Sequence, residues 1–448
     1  MIAQSWNPVG NALDTVKINC MYTDSVTGET FVGGYFHNFN GILANNIIKW
    51  DGQQWSSLGD GMNHQIFSIT KYKGNIVASG EFDSSGTRGF KMPIAKWSGI
   101  EWLPIDTNTA LDNFTGTLPT IRSIVEYNNK LYIIGRFYHH GPFPGIFNFG
   151  DFAVWNDTVW NPAVRPTMLF VSQLFDLEKL TVYQNQLYLT GVVAYDSCAF
   201  NGLPGVDAES FCRYNEACLS VEKVGNFWGT TLIRSTHEYN GSLYLGHTSQ
   251  FAQGNSITRF DGVNFYPVDD GFNSDVIGMT TYLGNLCAVG YFNADGLNNQ
   301  QFPSRVAIYD GINWSSLPTS CNITGPTLLF AGSIDSTLIV SGLLDNCGAL
   351  PLGFSATYPN SLTSIDEYKS EAFQIYPNPA TGTIKINYTD SQPGTIDIYN
   401  IVGQKISHHF LVPNLSNEID ISFLNQGVYI AKVTDSHNRE TLSKLLVR

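Results

Sequence analysis

One short pattern returns seven times along this chain of 448 residues, and it limits the fold more than any other feature. An apolar, strand-like segment ends in a glycine: "FVGGYF" (Phe31–Phe36), "VASGEF" (Val77–Phe82), "YIIGRF" (Tyr132–Phe137) and "YLTGVV" (Tyr188–Val193). "YLGHTS" (Tyr244–Ser249), "CAVGYF" (Cys287–Phe292) and "IVSGLL" (Ile339–Leu344) continue the series. The shared glycines are Gly34, Gly80, Gly135, Gly191, Gly246, Gly290 and Gly342, spaced 44 to 56 residues apart. A period near fifty marks propellers or solenoids.

Each repeat divides the same way. An alternating segment ends in Tyr22, Tyr72, Tyr127, Tyr183, Tyr239 or Tyr282, followed by a turn such as Asn240-Gly241. The glycine-bearing strand comes next, then a loop of variable length, then a tight hairpin such as "IIKWDGQQW" or "VAIYDGINW". Asp-Gly between strands supplies the φ > 0 turn that matches strand twist. The pattern predicts four antiparallel strands per repeat. The seventh repeat stops near Gly353–Tyr358 without its fourth strand, and the chain opens with that piece, "SWNPVG" (Ser5–Gly10). A ring needs this arrangement, because borrowing the first strand removes the exposed edge. The expected fold is all-β: a seven-bladed β-propeller over residues 1–360, closed by the N-terminal strand. The glycines, the paired Trp residues and the Asp-Gly turns are then scaffold. The "GDG" string is no phosphate loop, since no Lys-Ser/Thr and no helix follows it.

Hydrophobic residues make up 43% of the chain, enough for a large core. The net charge of −14 opposes nucleic-acid binding, which needs clustered Lys and Arg. No run approaches the ~20 apolar residues of a membrane helix, so no transmembrane segment is expected. The opening "MIAQSW" contains no apolar leader.

After Tyr358 the repeat is lost. Residues 361–372 read as a polar linker, and residues 373–448 as short alternating strands of a small Ig-like β-sandwich. Four blocks here resemble the C-terminal sorting domain of type IX secretion cargo. They are "YPNPATGTIKI" (Tyr376–Ile386), "IDIYNIVGQKI" (Ile396–Ile406), "IDISFLNQGVYIAKV" (Ile419–Val433) and "KLLVR" (Lys444–Arg448). The motif positions are Tyr376, Pro377, Asn378, Pro379, Gly403, Gly427, Val428, Tyr429, Lys444 and Arg448. The resemblance implies the type IX secretion machinery as a partner. It also implies export across the outer membrane of a Bacteroidetes-type bacterium, with the protein secreted or attached to the cell surface. A family member also carries an export leader, so the chain is read as beginning near its mature start. The repeats resemble Kelch-like or galactose-oxidase-like propellers at the level of architecture, and no residue role carries over from them.

An exported chain can form disulfides. Cys321 and Cys347 fall in loops serving the seventh repeat and are expected to bridge. One bridge is expected among Cys198, Cys212 and Cys218, with Cys198–Cys212 and Cys212–Cys218 both open. Cys20 and Cys287 fall inside strands and are expected to be buried free thiols. No CxxC spacing occurs, and neither a metal nor a cofactor is expected.

Two places are candidates for ligand binding. Five residues before the repeat Tyr stand Lys17, Phe67, Arg122, Glu178, Arg234 and Ile277, each preceded by an apolar residue. Alternation turns this charged set towards the channel, where Lys17, Arg122 and Arg234 could contact an anion or sugar with Glu178 as their partner. The second place is the loop rim, where "YHHGPFPGIFNFGD" (Tyr138–Asp151) supplies Tyr138, His139, His140 and Phe143. Catalytic motifs are absent: no G-x-S-x-G and no H-E-x-x-H. Glu81, Asp83 and Glu178 are the carboxylates that a glycosidase-like pair would use. The expected function is secreted or surface recognition of a glycan or protein, without catalysis. A carbohydrate-active enzyme and a structural surface-layer component are the alternatives.

Overall fold

The computed structural model describes residues 6–9, 15–107, 119–140, 147–163, 177–194, 208–225, 232–248, 256–297, 300–317, 323, 327–347, 350–359, 373–388, 392–400, 405–413, 415–434 and 440–448. The 361–372 linker expectation lies outside these residues. The chain divides into two compact units, Met1–Asn360 and Ser361–Arg448. Among the described residues every regular element is a strand.

The first unit is propeller-like. It contains seven four-stranded antiparallel sheets. Sheet one joins Lys17–Thr23, Thr30–Tyr35, Ile47–Trp50 and Trp55–Ser57 in chain order. The first strands of sheets two to seven are Ile66–Tyr72, Thr120–Tyr127, Leu177–Tyr183, Ile233–Tyr239, Val276–Tyr282 and Thr327–Ile334. The fourth strand of sheet seven is Asn7–Pro8, whose residues pair with Thr357 and Ala356. Trp6 is buried beside it, with its ring 5.0 Å from that of Tyr358. Each first strand packs against the next in sequence, and that of sheet seven packs against that of sheet one.

The repeat glycine has a steric cause. A Cβ on Gly80 would lie 2.1 Å from the carbonyl oxygen of Gln65, and on Gly290 it would lie 2.0 Å from that of Asp275. No side chain relieves a clash with backbone. In sheet five the register differs from the sequence alignment. Ile233 pairs with His247, whereas Ile66 pairs with Gly80 and Val276 with Gly290. His247, not Gly246, therefore occupies the glycine position of that repeat.

The hairpin aromatics pair across strands. Trp50 and Trp55 are in register with ring centroids 5.2 Å apart, and Trp97 and Trp102 follow at 5.3 Å. Phe260–Phe265 and Tyr309–Trp314 repeat the contact at 4.7 and 5.0 Å. Such cross-strand pairs stabilise a hairpin by up to about 1 kcal/mol. Asp51, Asp261 and Asp310 each accept two backbone N–H bonds within the turn, which lowers their pKa.

The repeat Tyr is a latch between sheets. Tyr127, Tyr183 and Tyr239 donate to turn carbonyls of the following sheet, Asn185, Gly241 and Gly284, at 3.4, 2.8 and 3.2 Å, and Tyr72 donates to Asp157 Oδ1 of the following sheet at 2.7 Å. In sheet one the corresponding position is Asp24, which pairs with Lys71 of sheet two at 2.6 Å.

The second unit consists of a three-stranded and a four-stranded sheet enclosing one hydrophobic cluster. Ile384, Ile386 and Ile419 enter it from one sheet, and Ile396, Ile398, Ala431 and Leu445 from the other. The Tyr-Pro-Asn-Pro block is tied to the terminal strand Glu440–Val447. Asn378 Oδ1 accepts Leu446 N at 2.9 Å, Ala380 N donates to Leu446 O at 2.8 Å, and Arg448 N donates to Ala380 O at 3.0 Å. Gly427 pairs with Val447 and Tyr429 with Leu445. Tyr376 and Val428 remain exposed, Gly403 lies outside the described residues, and only the backbone of Lys444 is described.

Candidate functional site

Each of the seven first strands carries a β-bulge after its first or second residue. A bulge adds one residue and turns its side chain out of the ladder. Arg122, Glu178 and Arg234 are bulge residues of sheets three, four and five. The structure brings them together: Glu178 Oε1 lies 2.8 Å from Arg234 Nη1 and 3.5 Å from Arg122 Nη1. All three are partly buried. The preceding apolar residues, Ile121, Leu177 and Ile233, are buried, as the alternation required.

Lys17 is a correction. Counted from the bulge, the position equivalent to the repeat Tyr in sheet one is Asp24, two residues beyond Tyr22, where the Asp24–Glu29 turn is longer than the others. Counting five back from Tyr22 therefore lands before the bulge. Lys17 pairs with Tyr35, and the residue equivalent to Arg122 is Asn19, whose Nδ2 donates to Ile66 O at 3.0 Å.

The structure adds a position that the sequence reading passed over, the residue following the repeat glycine. Here stand Tyr35, Glu81, Arg136, Thr248, Tyr291 and Leu343. The next residue is a buried wedge in most repeats: Phe36, Phe82, Phe137, Phe292 and Leu344. Alternation then turns its predecessor outward. Tyr35, Tyr291 and Leu343 are 39%, 38% and 49% exposed, and Arg136 is exposed as well. Around Glu81, Gln65 Nε2 donates to Oε2 at 2.6 Å and Thr120 Oγ1 to Oε1 at 3.3 Å, with His64 Nδ1 at 3.4 Å. The Tyr35 ring lies 5.9 Å from His64 and 6.5 Å from His37. The result is an exposed surface of aromatic rings, imidazoles and one carboxylate spanning sheets one and two. The signal is legible in the sequence: variable residues immediately beside a glycine that six of the seven sheets keep.

The long segment after the glycine of sheet three is not a loop throughout. Strand Lys130–His140 continues to its end in register with Phe147–Trp155: Tyr138 opposite Gly150, His139 opposite Phe149, His140 opposite Phe147. The side chains of Tyr138, His139 and His140, and all of Phe143, lie outside the described residues.

Cys20, Cys212 and Cys287 are free thiols. For Cys212 this corrects the disulfide expectation. Cys212 is fully buried in the hydrophobic cluster beside Leu187 and Leu189. It pairs with Lys223, while Cys218 lies in the turn beyond Asn215 and Ser220. Three residues of strand separate Cys212 from that turn, about 10 Å at ~3.3 Å per residue. A disulfide spans Cα atoms under about 7 Å apart. Cys198 and Cys321 lie outside the described residues.

His247 is buried and His237 half-buried, and both are shifted towards the neutral form. His247 Nδ1 donates to Thr248 O and Nε2 meets Thr258 Oγ1, both at 3.0 Å, and burial lowers its pKa. His237 meets Thr281 Oγ1 at 2.8 Å, and burial, with Lys179 nearby, lowers its pKa to about 4. Among the described residues, no three His, Cys, Asp or Glu side chains converge as metal ligands do. No helix of the described residues is long and apolar enough to cross a membrane.

With this geometry in view, comparison with known proteins identifies the second unit. Residues 374–448 match the family described as the secretion system C-terminal sorting domain. The unit is such a domain, and its presence implies a protein exported through the type IX machinery, to the surface or beyond. No curated protein matches the chain in sequence. Among solved structures the chain is similar to YCF48 bound to D1 peptide, with 13% identity and a TM-score of 0.41 over 81% of this chain and 99% of that one. It is also similar to the GH74 enzyme of Niastella koreensis, with 8% identity and a TM-score of 0.38 over 99% of this chain and 74% of that one. The extracellular domain of a hybrid two-component system from B. thetaiotaomicron follows at 11% identity and a TM-score of 0.24, over 96% and 72% of the two chains. Similarity of this extent carries no statement about ligand or activity.

Proposed function

We propose that this protein is an exported recognition protein whose first unit is a seven-bladed β-propeller, closed by Asn7–Pro8 and binding a glycan or protein partner at one end. Support for the ring comes from seven sheets whose first strands pack in sequence and from last to first. The observation that carries the binding reading is the exposed Tyr35, with His37, His64 and the hydrogen-bonded Glu81 beside it. An exposed ring offers an apolar face to a sugar, and a fixed carboxylate accepts from its hydroxyls. Arg122, Glu178 and Arg234 extend the surface inward. Tyr138, His139, His140 and Phe143 are further candidate contacts of the same proposal. We further propose a Cys321–Cys347 bridge in the seventh blade and an Ig-like sandwich for the sorting domain, joined by a linker at 361–372.

An enzyme acting at the channel mouth finds less support. Glu178 is taken up by two arginines and Glu81 by Gln65 and Thr120, so neither pairs with the second carboxylate that hydrolysis of a glycoside needs. The test is retention of the full chain on a broad glycan panel, with product masses read after long incubation. Retention without new masses supports recognition; new masses refute it in favour of catalysis. For the export role, deletion of residues 373–448 in a type IX-competent host should abolish surface delivery, and continued delivery contradicts the assignment.

A further inference from the structure

The charge of the first strands runs against that of the chain. At the bulge and the residue after it, the seven first strands contribute Arg122, Arg234 and Lys179 against one carboxylate, Glu178. The whole chain has a formal net charge of −14. Glu178 is occupied by the two arginines through its Oε1. Lys179 is left without a counter-charge. Among the described residues its Nζ makes one hydrogen bond, to Thr236 O at 3.2 Å, and no ion pair.

The titratable groups facing Lys179 come from two other first strands. Cys20 stands on sheet one and His237 on sheet five. Neither supplies negative charge: burial pushes the Cys20 thiol up to about 12 and His237 down to about 4. Lys179 keeps some surface open, yet desolvation pulls its own pKa below the usual lysine range. A desolvated cation without a partner is costly, and a low-dielectric cleft of one sign concentrates counter-ions. The neighbouring hydroxyls of Thr181 and Thr236, 2.6 Å apart, and Thr281 add further hydrogen-bonding groups.

We propose that Lys179 is the inner half of an anion site between the first strands of sheets one, four and five, taking a carboxylate group that enters past Arg122 and Arg234. One negative charge matches the one uncompensated ammonium. The two N–H groups of Lys179 not used by Thr236 match the two carboxylate oxygens. The ligand class is a sugar acid; that choice of sugar rests on the glycan reading above, whereas the carboxylate does not.

The test is calorimetric titration of the full chain with D-glucuronate, acetate and glucose in parallel, repeated on Lys179→Met. Saturable binding of glucuronate and acetate, with glucose inert and glucuronate at least about tenfold weaker on the variant, is the expected result. Acetate alone binding keeps the anion site and overturns the sugar acid. Glucose binding as well as glucuronate, or a variant indistinguishable from the native chain, overturns the site. Should Lys179→Met fail to fold, the native chain decides. Binding must weaken as the pH is raised and the lysine loses its proton, and binding that does not weaken on raising the pH overturns the proposal.

Discussion

The two ends of the seven sheets are built to different rules. At the hairpin-turn end, Tyr127, Tyr183 and Tyr239 donate to a turn carbonyl of the next sheet, and Tyr72 donates to Asp157 of the next sheet. At the opposite end, the position after the repeat glycine holds Tyr, Glu, Arg, Thr and Leu in different sheets, several of them exposed. The difference follows from what each side chain meets. A phenol that reaches a neighbouring backbone carbonyl restricts its position, and where the contact changes, as at Asp24 with Lys71, the residue changes with it. A side chain turned to solvent beside a buried Phe wedge admits any. Specificity is written where the scaffold leaves residues unconstrained.

The largest effect should come from the position that holds both ends in register. In Gly290→Val the Cβ would sit 2.0 Å from Asp275 O, so a loss of at least about 3 kcal/mol is expected in urea unfolding. A smaller loss, about 1 kcal/mol, is expected for Tyr239→Phe, which removes the bond to Gly284 O. No loss there would break the latch half of the comparison.

A pH effect sharpens it further. His237 titrates near 6.5 when unfolded and about 4 when folded, so the unfolded chain binds more protons between those values. Its contribution is fully present above about pH 6.5 and fades as pH falls towards 4. His237→Gln should flatten the urea midpoint over that window; an unchanged slope would place the acid sensitivity elsewhere. The smallest effect on stability, within about 0.5 kcal/mol, is expected for Tyr35→Ala, which instead should lower ligand retention.

Much of this was legible in the sequence. The repeat, the hairpins, the partnering of Glu178 with two arginines and the sorting blocks all follow local periodicity or motif spacing. Lys17 and Gly246 were misaligned because each repeat was counted from a single landmark. A longer first hairpin and a His at the fifth glycine position shift the count without changing the composition. Cys212 was placed by its nearness in sequence to Cys218, whereas strand direction carries it into the core. Lys179 was invisible because its isolation depends on strands far apart in sequence.

The most direct measurement sets the two ends against each other in one experiment. Full-length Tyr35→Ala/Tyr291→Ala and Tyr183→Phe/Tyr239→Phe are compared for urea midpoint and for retention on the glycan panel. The account predicts that the first pair loses retention at a near-native midpoint, while the second loses about 2 kcal/mol of stability and keeps its retention. Retention unchanged in the first pair, or lost equally in both, would contradict it.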